Sequence, residues 1–176
     1  DTAVVAKWYV SDGDIEEKST VLEDELIGPE LEFSQQLATG ENSVDECKEF
    51  SIIVNAKNNG KGESKQVQFD VVLPEELKLL AVISEGNRPV NIEKDGNTIK
   101  ATVARIDPND YSSLIIKTRS HPIDGSIELK MDTNVSEEYI GELAIEDLNF
   151  WIVEDENREL TDDEKQEIAD KNTIDN

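Results

Sequence analysis

Phe50-Ser51-Ile52-Ile53-Val54-Asn55-Ala56 and Val67-Gln68-Phe69-Asp70-Val71-Val72-Leu73-Pro74 are the stretches that decide the fold class. In the first, Phe50, Ile52, Val54 and Ala56 recur at every second position; in the second, Val67, Phe69, Val71 and Leu73 do the same. Successive side chains of a strand point to opposite faces, so each row lies on one side of a sheet. Pro74 ends the second row because it has no N–H to give to a ladder. Leu77, Leu79, Ala81 and Ile83 continue the period, although their start is apolar enough for a short helical turn. Between Ile92 and Ile99 stands Lys94-Asp95-Gly96-Asn97, and Asp-Gly between alternating runs predicts a tight hairpin. Ile99, Ala101 and Val103 form its return strand. Asp107-Pro108-Asn109-Asp110 is a turn, since Pro presets φ and Asp or Asn side chains bond the nearby backbone. Leu114 with Ile116, and Ile127 with Leu129 and Met131, make two further rows. About seven short strands without a helical pattern between them predict an all-β, immunoglobulin-like antiparallel β-sandwich. Gln66, Gln68, Lys100 and Thr102 fall on the solvated faces.

Several of these segments resemble a known family. Gly28-Pro29-Glu30-Leu31, the run from Phe50 to Asn58-Asn59-Gly60, Val71-Val72-Leu73-Pro74-Glu75-Glu76-Leu77, and Val103-Ala104-Arg105-Ile106-Asp107-Pro108-Asn109-Asp110 are similar to the bacterial surface repeats called domain of unknown function eleven. The resemblance spans residues 28–133. It departs from the family at Asn109-Asp110, where a Pro-Gly pair is usual. It implies an immunoglobulin-like sandwich carried in tandem on large secreted or wall-anchored proteins, with no catalytic residues to transfer.

Charge divides the chain. Its 176 residues hold 41 acidic and 17 basic side chains, for a net charge of −24, and residues 1–32 and 150–176 carry −8 and −7 of it. The expected organisation is an acidic N-terminal strand and linker over 1–27, the sandwich over 28–153 and an acidic helical tail over 154–176. Such acidity repels phosphate backbones, so no nucleic-acid partner is expected. No run approaches the roughly 18 to 20 apolar residues that cross a bilayer, and residues 1–10 lack the pattern of a signal peptide, so a mature or excised segment without membrane insertion is expected. Only four of the basic residues are arginines, a bias of AT-rich coding; retained Lys and Ile argue against a halophile explanation.

Ala3–Val10 and Leu148–Val153 both have strand composition. Trp8-x-Val10-x-Asp12 matches Trp151-x-Val153-x-Asp155, which leaves two readings open: a repeat, or ordinary strands that each bury one large aromatic. From Thr161 onward, a hydroxyl N-cap with Glu164 three residues later predicts a helix. Its apolar content, essentially Leu160, Ile168 and Ala169, makes it short and peripheral.

The residues offer little chemistry. One Cys and one His exclude an internal disulfide and any multi-cysteine or multi-histidine metal site. Cys47 is expected to be a partly buried small residue at a strand start, and His121 a surface turn residue, rather than a nucleophile and its base. Carboxylate pairs such as Asp12 with Asp14, Glu75 with Glu76 and Asp162 with Asp163 carry little information among 41 acids. No phosphate loop or Gly-x-Ser-x-Gly elbow occurs. An amide crosslink from Lys7 to Asn55 or Asn149 is a further reading, against a solvent-facing Lys7.

No cofactor is required and no enzyme activity is expected. Asp12, Asp14, Asp155 and Glu156 could converge at one pole of the sandwich, and an oxygen-rich cluster there would take Ca²⁺. The expected function is a non-enzymatic extracellular or cell-wall module, a stalk repeat or adhesive binding domain. Its partners would be neighbouring domains of the same polypeptide or an extracellular protein or glycan. The alternatives are a secreted carboxylate-based hydrolase acting on glycans, which would want an aromatic sugar platform, and a self-associating scaffold subunit.

Overall fold

The structure is a computed structural model that describes residues 27–86, 88–155 and 162–175. Its elements are β1 (Leu31–Leu37), β2 (Ser43–Asp45), β3 (Phe50–Asn58), β4 (Val67–Val72), β5 (Leu77–Gly86), β6 (Val90–Asp95), β7 (Thr98–Val103), β8 (Tyr111–Ser120), β9 (Ile127–Met131), β10 (Asn134–Glu137), β11 (Gly141–Leu143), β12 (Leu148–Val153) and the helix α1 (Asp162–Asp175). The strands form sheets in the orders β1-β3-β8-β5, β11-β10-β4-β7-β6 and β2-β12-β9. All pairings are antiparallel except β2 with β12. This is the immunoglobulin-like sandwich that the alternation predicts, with one peripheral helix among the described residues.

The alternating rows are the inner faces. Ile52, Val54 and Ala56 of β3, Val67, Phe69 and Val71 of β4, Ile99, Ala101 and Val103 of β7, and Leu114 and Ile116 of β8 are all fully buried. Phe50 and Phe150 close one part of this core edge to face, with ring centroids 5.7 Å apart, a geometry that aromatic quadrupoles favour. The β6–β7 hairpin turns on Gly96-Asn97, with Asp95 opposite Thr98. Gly96 has φ +60 and Asn97 does not share a positive φ, so the first turn position takes the left-handed conformation that glycine adopts freely, as in a II′ hairpin. Asn97 then donates from Nδ2 to the carbonyls of Pro74 (3.3 Å) and Leu77 (2.9 Å), fixing the hairpin tip to the β4–β5 connection. At residues 107–110, Asp110 N donates to Asp107 O at 3.0 Å and Asn109 takes φ 65. This is a turn with Pro at its second position and Asn where glycine is otherwise favoured.

Four local expectations are corrected. The row Leu77, Leu79, Ala81, Ile83 does not keep one face: the register with β8 shifts between Leu79 and Ala81. A bulge adds one residue and reverses the phase beyond it, so Val82 packs on the core while Ile83 is 43% exposed. The start of this segment is strand, not helical turn. Cys47 lies in the β2–β3 turn with φ 62, not at a strand start. Trp151 does not bury its ring; it is 43% exposed, and its neighbours Phe150 and Ile152 fill the inner face of β12. Trp8, the other half of the aligned pair, lies outside the described residues, as does Thr161, the expected N-cap of α1.

Candidate functional site

Buried polar side chains in this sandwich work on the backbone. Asn58, at the end of β3, is fully buried. Its Oδ1 accepts from Glu30 N (3.1 Å) and Gly60 N (2.9 Å), and its Nδ2 donates to the carbonyls of Gly62 (2.8 Å) and Ile106 (2.9 Å). One amide thereby joins three chain segments. The approach is close enough that a Cβ on Gly60 would stand 2.4 Å from Gly28 O and 2.5 Å from Glu30 N. Glu46 accepts from Ile123 N at 2.8 Å and Asp155 N at 3.0 Å, and Glu137 accepts from Tyr139 N, Ile140 N (3.0 Å) and Lys65 N (3.4 Å). Both carboxylates are almost wholly buried, where hydrogen bonds to amides offset much of the cost of removing a charge from water. Glu137 thus fixes the β10–β11 hairpin tip, which presents Tyr139 at 81% exposure and Ile140 at 45%.

The outer face of β4-β7-β6 carries a shallow recess. Register sets Gln68, Thr102 and Asn91 in one cross-strand row and Asp70, Lys100 and Glu93 in the next. Gln68, Asn91, Glu93, Lys100 and Thr102 line an open depression of about 210 Å³. Gln68 Nε2 is shared with the Asp70 carboxylate at 3.1 and 3.2 Å. Donors and acceptors of both charge signs sit together here on rigid strands, an arrangement that can hydrogen-bond a polar ligand or a partner surface. Gln68, Lys100 and Thr102 lie on the solvated face that the alternation predicts; Asn91 and Glu93 join them through the hairpin register.

A second cluster was not foreseen. Lys78 and Arg119 are cross-strand partners on β5 and β8, and His121 follows β8. Glu167 of α1 reaches all three: its Oε1 lies 2.6 Å from Arg119 Nη2 and 3.9 Å from Lys78 Nζ, and its Oε2 lies 2.6 Å from His121 Nδ1. Burial pushes the Glu167 carboxyl up, but hydrogen bonds from Arg119 and His121 and their charges outweigh it and hold the group below the ordinary carboxylate range. At the β7–β8 turn, burial likewise raises Asp107, yet Arg88 (3.2 Å) and Arg105 (3.0 Å) bring it lower overall. His121 was read as a surface turn residue and is instead half-buried against α1.

The residues proposed from sequence are only partly described. Asp155 is exposed and its amide is held by Glu46, whereas Asp12, Asp14 and Glu156 lie outside the described residues. Among the described residues, no group of three or more His, Cys, Asp or Glu could hold a metal ion. Cys47 N donates to Ser120 Oγ at 2.9 Å, so the turn that carries Cys47 packs beside the residue preceding His121. Lys7 is not described; Asn55 accepts from Ser113 Oγ on β8, and no described lysine is buried. Sequence reasoning missed Asn58, Glu46 and Glu137 as sites of interest. The available signals were an Asn at the end of a strand before a glycine-containing turn and acids at strand ends.

No family model matches the sequence, so the resemblance to domain of unknown function eleven rests on the turns and strands quoted above; no curated protein matches it either. Solved structures do. The chain is similar to BcpA, the major pilin subunit of Bacillus cereus, at 12% identity and a TM-score of 0.58, over 70% of this chain and 40% of that one. A non-cellulosomal cohesin from Archaeoglobus fulgidus gives 17% identity and a TM-score of 0.48 over 72% and 93%. The full-length major pilin SpaD from Corynebacterium diphtheriae gives 13% and 0.49 over 70% and 33%. The chain therefore spans about two fifths of the length of the first of these pilins, and what it shares with that protein is the immunoglobulin-like sandwich fold.

Proposed function

We propose that the chain is a non-enzymatic extracellular module of a bacterial surface protein, a stalk repeat or an adhesive binding domain of the kind named domain of unknown function eleven. The observation that carries this reading is a module-sized match to a pilin subunit: 70% of this chain superposes on 40% of that one. Fold does not fix function, so the side chains must agree. They do so in that the buried carboxylates of the described residues, Glu46, Asp110 and Glu137, are engaged by backbone amides, which is a structural use of an acid rather than a catalytic one. The polar recess around Gln68, Asn91, Glu93, Lys100 and Thr102 is the surface for an extracellular protein or glycan, and neighbouring domains of the same polypeptide are the other partners. A Ca²⁺ ion held by Asp12, Asp14, Asp155 and Glu156 is part of the proposal.

Titration against arrays of glycans and extracellular-matrix proteins, with Asn91→Ala and Lys100→Ala as controls, tests the adhesive form. Saturable binding weakened by both substitutions supports it, and binding unaffected by them moves the site elsewhere. Turnover in a glycoside and ester substrate screen, abolished by removing one carboxylate pair, would establish the hydrolase instead.

A further inference from the structure

Helix α1 has little apolar surface with which to hold its place. Among residues 162, 163 and 165–170, only Glu167 and Ile168 are half-buried and the others are exposed. A polar helix of 14 residues is marginal in water on its own. Among the described contacts, one carboxylate ties it to two strands and a loop: Glu167 is hydrogen-bonded to Arg119 and His121 at 2.6 Å each and paired with Lys78 at 3.9 Å. Glu167 is only 16% exposed in this contact, and Arg119 20%. In a chain of charge −24, Arg119, His121 and Lys78 gathered at a single carboxylate offer a site complementary to an acidic segment. Nothing in its chemistry distinguishes Glu167 of the same chain from Glu167 of another copy.

We propose that Lys78, Arg119 and His121 form a carboxylate cradle that α1 fills as a releasable strap, and that the vacated cradle accepts the same acidic segment of a second copy. The contact is electrostatic, so salt loosens it. It is also acid-sensitive, with a definite sign. Because Glu167 is held below its ordinary value of 4.5, its contribution is intact above that pH and is lost as the pH falls through the lower value of the docked state. The charged groups that face Glu167 are Arg119 of β8, Lys78 of β5 and His121 of the following loop.

Hydrogen exchange of the full chain reads the strap directly. Glu167→Gln, Arg119→Gln or 0.5 M NaCl should each speed exchange of the α1 amides by roughly tenfold or more, while amides of β3, β4 and β8 keep their protection. A synthetic peptide of residues 161–176 is then titrated into isotope-labelled Glu167→Gln chain at millimolar concentration. The wild-type peptide should shift the resonances of Arg119 and His121 at least tenfold more tightly than the same peptide carrying Glu167→Gln, and Arg119→Gln in the chain should abolish the effect. Unchanged α1 protection in all three conditions overturns the strap. A loosened strap whose cradle does not distinguish the two peptides overturns the second-copy site.

Discussion

Replacing Asn58 by Ala removes a side chain that is fully buried and makes four hydrogen bonds to backbone groups of residues 30, 60, 62 and 106. The substitution deletes a small polar group and leaves two amides and two carbonyls to find other partners. A buried polar group left unpaired costs about 1 to 3 kcal/mol, and a neutral hydrogen bond contributes about 1 kcal/mol net. With some of the four groups recovering water at the surface side, the expected loss is about 3 to 5 kcal/mol, among the larger effects of single substitutions. Each kcal/mol shifts Tm by about 2 to 4 °C for a domain of about 150 residues, so Tm should fall by about 6 to 20 °C. Asn58→Asp should cost at least as much, because its second oxygen would face the carbonyls of Gly62 and Ile106 where Nδ2 now donates. Urea unfolding followed by tryptophan fluorescence and far-ultraviolet circular dichroism, analysed with a common m value, measures the loss. A loss below about 1 kcal/mol for Asn58→Ala would show that these bonds do not organise the end of β3, and the reasoning would fail.

Gly60→Ala should destabilise by roughly 1 to 3 kcal/mol in the same assay, because its Cβ meets backbone atoms of residues 28–30 that cannot rotate aside; an unchanged unfolding midpoint contradicts that packing. Glu137→Ala should cost about 2 to 4 kcal/mol and raise exchange at the amides of Lys65, Tyr139 and Ile140 together; exchange confined to one of them refutes a shared carboxylate. If Asp12, Asp14, Asp155 and Glu156 hold Ca²⁺, Ca²⁺ at about a hundred times Kd adds roughly 2.7 kcal/mol, and Tm rises further than in NaCl of matched ionic strength. Equal shifts in the two salts remove the metal.

The inner faces were legible wherever a run of alternating apolar residues marks them. β3, β4, β7 and β8 bury Ile52, Val54, Phe69, Ile99, Leu114 and the apolar residues two positions from them, while Asn58, Thr118 and Ser120 extend the buried rows of β3 and β8 with polar side chains, and burial of one face enforces the register. β1 and β10 escaped the reading because polar residues occupy inward positions: Gln35, whose Nε2 donates to the carbonyls of Met131 and Glu146 at 3.0 Å each, and Glu137. The partners of Gln35 lie far along the chain, and Glu137 joins the neighbouring amides of Tyr139 and Ile140 to the distant amide of Lys65, so no apolar pattern announces that either inward side chain is satisfied. The bulge at Leu80 was hidden for a different reason. Leu77-Lys78-Leu79-Leu80-Ala81-Val82-Ile83 is apolar on both phases, and only pairing with β8 decides which face turns outward. Trp151 misled in the opposite direction, since size suggested burial while its neighbours Phe150 and Ile152 hold the inner phase. The Glu167 cluster joins residues 46 or more positions apart. Among so many acids, sequence gives no means of telling this one from the rest.

Surface labelling tests the functional proposal most directly. Antibodies raised against the folded chain are applied to intact cells of the organism that makes it, then to the same cells after brief protease treatment and after lysis. The account predicts strong labelling of intact cells that protease removes, with the released fragment retaining the sandwich. Labelling that appears only after lysis would contradict the assignment to an extracellular surface module.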